Sequence, residues 1–97
     1  MGTELNSNLL LIKSGITGGS VPANSYKDFT ISWGTGTFSS PPAVMAVLSN
    51  VSVYYSAYAC VQYFVLNVTS TSATIRIMNG YANSGIEPYV TWVAIGI

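Results

Sequence analysis

Few side chains in this sequence could carry chemistry. Its 97 residues hold no histidine, one cysteine (Cys60), three carboxylates (Glu4, Asp28, Glu87) and three cations (Lys13, Lys27, Arg76). Without histidine, the commonest general base and metal ligand is missing. A carboxylate pair for glycoside hydrolysis would need Asp28 and Glu87 to converge to about 5–10 Å. The two lie far apart in sequence, and nothing in the pattern draws them together. A serine nucleophile without histidine needs a lysine base, and neither Lys13 nor Lys27 has a setting that would activate it. Gly18-Gly19-Ser20 is not followed by the lysine and helix start of a phosphate loop. One thiol supplies neither a disulfide framework nor a metal cluster. Within Cys60-Val61-Gln62-Tyr63-Phe64 it is expected to be a small buried hydrophobe. The expectation is a protein that is not an enzyme and carries no cofactor or metal.

What remains is a surface for binding. Tyr54-Tyr55-Ser56-Ala57-Tyr58, within an irregular loop or short edge strand over Asn50–Ala59, and the loop Asn79-Gly80-Tyr81-Ala82-Asn83 carry phenols beside amides. Phenol rings can stack on the apolar face of a sugar while hydroxyls and amides bond its hydroxyl groups. Tyr54, Tyr55, Tyr58, Asn79, Tyr81 and Asn83 are therefore the candidate glycan contacts. The same tyrosines could instead pack against neighbouring subunits with their hydroxyls at the rim.

These loops need strands to hold them. Asn8–Lys13 is an apolar run that Ser14-Gly15 should end. Gly18-Gly19-Ser20 and Pro22 make a loop. Tyr26–Trp33 alternates, with Phe29, Ile31 and Trp33 on one face and Asp28, Thr30 and Ser32 on the other. After the turn Gly34–Thr37, Pro41-Pro42 leads into Ala43–Leu48, which is apolar on both faces. Cys60–Asn67 shares that two-faced character, and Asn67–Ser72 turns the chain with short hydrogen-bonding side chains. Ala73–Met78 alternates, with Ile75 and Ile77 inward and Thr74 and Arg76 outward. Asn79-Gly80 signals a turn, and Glu87–Ile97 is the last strand. Six antiparallel strands in one domain, residues 8–97 after a flexible stretch 1–7, point to a β-sandwich.

In the closing strand Val90, Trp92 and Ala94 can face one way and Val93, Ile95 and Ile97 the other, so both sides need cover from this chain or from a copy of it. Composition agrees, since only 6% of residues are charged and the net charge is zero, against roughly 25% charged in a typical soluble domain. So little charge leaves an uncharged surface that invites self-association. Three scattered cations form no basic patch, so neither nucleic acid nor an anionic membrane is an expected partner. Met1-Gly2-Thr3-Glu4 lacks the basic start of a secretory leader, and no apolar run reaches the ~18 residues of a membrane span. Membrane insertion is not expected.

Three stretches, in order, resemble the H-type lectin domain in the form found at the C-termini of bacteriophage and prophage tail proteins. They are Phe38-Ser39-Ser40-Pro41-Pro42-Ala43-Val44, Val65 to Ile75 with its Asn67-Val68-Thr69-Ser70-Thr71 centre, and Val90-Thr91-Trp92-Val93-Ala94-Ile95-Gly96. Ile12-Lys13-Ser14-Gly15 is similar to the family's opening strand and turn, so the likeness runs from about Leu10 to Ile97. It implies a six-stranded antiparallel sandwich that assembles as a homotrimer, in some members as a dimer of trimers. Val90, Trp92, Val93, Ile95 and Ile97 are then the expected trimer interface. Lectin members of the family bind N-acetylgalactosamine-type sugars in clefts between protomers. Their arginine contact falls here on Cys60, their aromatic–histidine pair on Gly80 and Tyr81, and their acidic contact within Ser20–Ser25, which holds no acid. The implied role is a tip domain on a virion tail that trimerises a fibre or baseplate protein and contacts a host cell-surface glycan. The alternatives are a trimerisation cap without a ligand, and a secreted or cell-surface lectin.

Overall fold

Runs of alternating or wholly apolar side chains draw the described residues into six strands. A computed structural model gives the structure of residues 10–49 and 59–97. The strands are β1 (Leu11–Gly18), β2 (Ser25–Ser32), β3 (Ala43–Ser49), β4 (Val61–Leu66), β5 (Ser72–Asn79) and β6 (Tyr89–Gly96). They form two three-stranded antiparallel sheets, ordered β1-β6-β3 and β2-β5-β4. The expected six-stranded antiparallel β-sandwich is therefore present. Tyr54, Tyr55, Tyr58 and residues 1–7 lie outside the described residues.

The central strand of each sheet supplies the core. From β5, Ala73, Ile75 and Ile77 point inward, and from β6, Val90, Trp92 and Ala94 do so. Burying side chains of this size stabilises the fold by roughly 1.5–3 kcal/mol each. Trp33 closes one end of the core. It meets Phe38 edge-on with ring centroids 5.7 Å apart, lies 6.1 Å from Trp92, and donates its indole N–H to the Ser70 carbonyl at 2.7 Å. The turn before β5 is pinned as its residue types suggest, with Thr69 Oγ1 accepting from the backbone N–H of Thr71 and Ser72 at 3.1 and 3.0 Å.

The first strand differs from the sequence expectation, because Gly15 does not stop it. Gly15 pairs with Trp92 inside the β1–β6 ladder, where a Cβ would lie 2.9 Å from the indole ring. Glycine here makes room for tryptophan instead of breaking the strand. The stop comes at Gly18, whose φ of +145° suits glycine and whose Cβ would lie 2.3 Å from the Pro88 carbonyl oxygen.

The register also fixes the two ends of the sandwich. Leu11 pairs with Gly96 and Ala43 with Ile95, so the described chain enters and leaves at the same end. There Ser39 donates from both its backbone N–H and its hydroxyl to the Ile97 carbonyl, each at 2.9 Å. At the opposite end stand the connections after Gly18 and Asn79, joined by a Val21–Ile86 bridge.

The two outward faces differ in chemistry. On β1-β6-β3, Ile12, Ile16, Met45 and Val47 are 57–68% exposed. Ile12 pairs with Ile95, Met45 with Val93, and Ile16 and Val47 flank Thr91, so this face is mainly apolar, with Ser14 and Thr91 as its polar members. Val90 and Trp92, expected at a trimer interface, point away from it and are only 0% and 7% exposed inside the chain's own core. The alternation of β6 sends them to the opposite side from Val93 and Ile95. The β2-β5-β4 face is mixed, with Tyr26, Asp28, Thr30, Arg76, Gln62 and Phe64 facing outward.

Candidate functional site

Asn79 organises the end of the sandwich remote from the chain ends. It is the last residue of β5, 1% exposed, and its amide nitrogen donates to the carbonyls of Val21, Pro22 and Ser84, each at 3.2 Å. Its carbonyl oxygen accepts from the Tyr81 backbone N–H at 2.8 Å. One side chain thus ties the connection before β2 to the connection after β5. The tie is reinforced by Asn24 N–H to Tyr81 O at 3.2 Å and Gly80 N–H to Cys60 O at 3.1 Å.

These bonds bring three strand ends together around an open cleft of about 250 Å³. Asn24, Ser25 and Tyr26 come from the start of β2, Cys60 and Gln62 from the start of β4, and Met78, Asn79 and Gly80 from the end of β5. Exposed amides of Asn24 and Gln62, the Ser25 hydroxyl and the Tyr26 phenol supply donors and acceptors without formal charge. The Tyr26 ring and Met78 supply an apolar floor. Such a set suits a neutral ligand rich in hydroxyl groups.

The sequence-derived candidates fare unequally. Asn79 lines the cleft, but its amide is fully engaged within the protein, so it builds the site and is not available to a ligand. Tyr81 is half-buried beside the cleft, and Asn83 is exposed on the same connection. Cys60 is exposed and not buried as expected, because it precedes β4 at the open end of the sheet instead of sitting in its middle. Asn24, Ser25, Tyr26 and Gln62 escaped sequence reasoning. Alternation marks Tyr26 as outward, but only the register Tyr26–Met78–Gln62 shows that these side chains share one row.

The carboxylates have separate partners. Glu87 accepts from the Tyr89 hydroxyl at 2.6 Å and from the Ser20 hydroxyl at 3.4 Å. Asp28 is held by Arg76 through two bonds of 2.8 and 3.1 Å, and the guanidinium lies 4.2 Å above the Tyr26 ring. The hydrogen bonds from Arg76, aided by its charge, hold the Asp28 carboxyl below the usual carboxylate range against a small desolvation effect. A lowered folded-state pKa gives stability that is present above the unfolded value and lost as pH falls through the folded value. Asp28→Asn should therefore lower Tm by no more than a few degrees at pH 7, as suits a solvent-exposed pair. The difference from the parent should vanish in thermal melts carried below the folded pKa of Asp28. Among the described residues no cluster of histidine, cysteine and carboxylate side chains could hold a metal ion. No helix among them is long and apolar enough to cross a membrane.

No family model matches the chain, and no curated protein matches it. Solved structures do. The fold is similar to that of an N-truncated R1-type pyocin tail fibre, with a TM-score of 0.71 and 18% identity over 91% of this chain and 71% of that one. It is equally similar to a C-terminal fragment of the P. aeruginosa R1 pyocin fibre, again at 0.71 and 18%, covering 91% of this chain and 23% of that one. At this identity the likeness is one of fold.

Proposed function

We propose that the chain is a tail-fibre tip domain that binds a glycan on a host cell surface without covalent chemistry. Its place would be the distal part of a virion tail. The observation that carries this reading is the fold shared with tail-fibre structures over 91% of the chain. The cleft adds a site of suitable chemistry. It gathers Cys60, Gly80 and the Asn24-Ser25 segment, the positions onto which the H-type lectin resemblance maps its sugar contacts. The arginine, histidine and acid of those lectins are absent from these positions, so the sugar is not expected to be N-acetylgalactosamine. Neutral amides and a phenol would read a different pattern of hydroxyl groups.

The domain acts as a homotrimer in this reading, with the apolar β1-β6-β3 face turned towards the copies. Val93 and Ile95 are at its centre and Ile97 is at its edge. Three shallow clefts on one particle would bind a repetitive surface far more tightly than one. The intact protein should bind members of a glycan array or purified host cell-wall polysaccharide. Gln62→Ala and Asn24→Ala should each weaken that binding about tenfold, the size of one or two lost hydrogen bonds. Absence of binding to both the array and the polysaccharide would leave the trimerisation cap as the better account.

A further inference from the structure

We infer that the ligand is a linear, uncharged glycan of three or more sugar residues, lying along the strands of the β2-β5-β4 face and not confined to the cleft. The inference rests on the glycan reading of the cleft. The cleft adjoins the outward face of the sheet, because its row Tyr26–Met78–Gln62 is the first of three outward rows. The second row is Asp28–Arg76–Phe64, and the third is Thr30–Thr74–Leu66. Outward rows repeat at roughly 7 Å, two residues along a strand, so the three rows together span a chain of at least three sugar units.

Each row offers what a sugar needs. Phe64 is 45% exposed and provides a ring beside the Tyr26–Arg76 stack. Arg76 has five N–H donors, of which Asp28 engages two, the one on Nε and one of those on Nη2. The third row adds two hydroxyls, from Thr30 and Thr74. The Asp28–Arg76 pair cancels its own charge, so the face gives no advantage to an anionic chain. A second copy of this protein is a poor match for this face, where charged and polar groups share the first two rows with Tyr26 and Phe64. The mainly apolar face of the other sheet is the better match for a copy.

The test is an array of matched linear neutral glycans, from mono- to hexasaccharide, together with acidic glycans of the same lengths. The assembled protein should bind the neutral trisaccharide about tenfold more tightly than its monosaccharide, the scale of one added ring contact. Phe64→Ala should erase that gain and leave monosaccharide binding unchanged. Thr30→Glu, at an exposed position, should do the same for the third unit without touching Phe64. Equal affinity for short and long neutral chains would overturn the inference while the glycan reading stands. A preference for acidic chains would also overturn it, as would disassembly of the oligomer by Phe64→Ala. Binding to no member of the array would remove the glycan reading and this inference together.

Discussion

Asn79→Leu should lower the stability of the fold by on the order of 3–5 kcal/mol, read as a loss of at least about 15 °C in Tm for a domain of this size. Leucine has a similar volume but takes away the side-chain partner of the Pro22 and Ser84 carbonyls and of the Tyr81 N–H, while the Val21 carbonyl keeps the Ile86 N–H. Each buried orphan costs about 1–3 kcal/mol, and water can reach only some of them. The loss is large against a total stability of about 5–15 kcal/mol. Asn79→Asp should be at least as damaging, because a carboxylate would face three carbonyl oxygens. Survival of the parent melting temperature in either variant would show that the two connections are held by other contacts.

Val93→Asp should convert the proposed trimer to folded monomers. Val93 faces outward between Met45 on β3 and Ser14 on β1, beside a shallow groove of about 280 Å³ formed with Met45, Val47 and Thr91. An unpaired carboxylate enclosed there costs on the order of 3–5 kcal/mol, and three-fold symmetry repeats the cost in every protomer. The fold should survive because the core lies on the other side of β6, and circular dichroism should match that of the parent. Val93→Leu should leave the assembly intact. Light scattering that gives a trimer mass for Val93→Asp, or a monomer mass for the parent, would rule out this face as the interface.

The strands were readable because their side-chain patterns are local. Ile75 and Ile77 alternate with Thr74 and Arg76, and that alone sets the inward face of β5. The two-faced pattern of Ala43–Leu48 likewise marks β3, whose Met45 and Val47 stay more than half exposed. The extent of β1 was not readable, since the reason for Gly15 is an indole from the far end of the chain. Asn79 and Cys60 exchanged their expected environments for a related reason. Asn-Gly is a turn signal by residue type, yet crossing connections bury this asparagine and bond all of its amide. Cysteine is usually buried, yet this one stands at the mouth of a sheet. The cleft depends on register between β2, β5 and β4, which no single stretch of sequence encodes. Tyr54, Tyr55 and Tyr58 lie outside the described residues.

Leu10 and Ile97 lie at the end of the sandwich opposite the cleft, because Leu11 is paired with Gly96. A domain anchored at that end and gripping its target at the other would carry tension lengthwise through its strands. From either end the load would run along one covalent strand, through β1 to Asn24–Tyr26 or back through β6 to Met78–Gly80, so that no ladder has to open. A pull across the strands would instead peel the β1–β6 ladder open one bond at a time. The arrangement that separates anchor from cleft is therefore also the one that best resists being pulled apart.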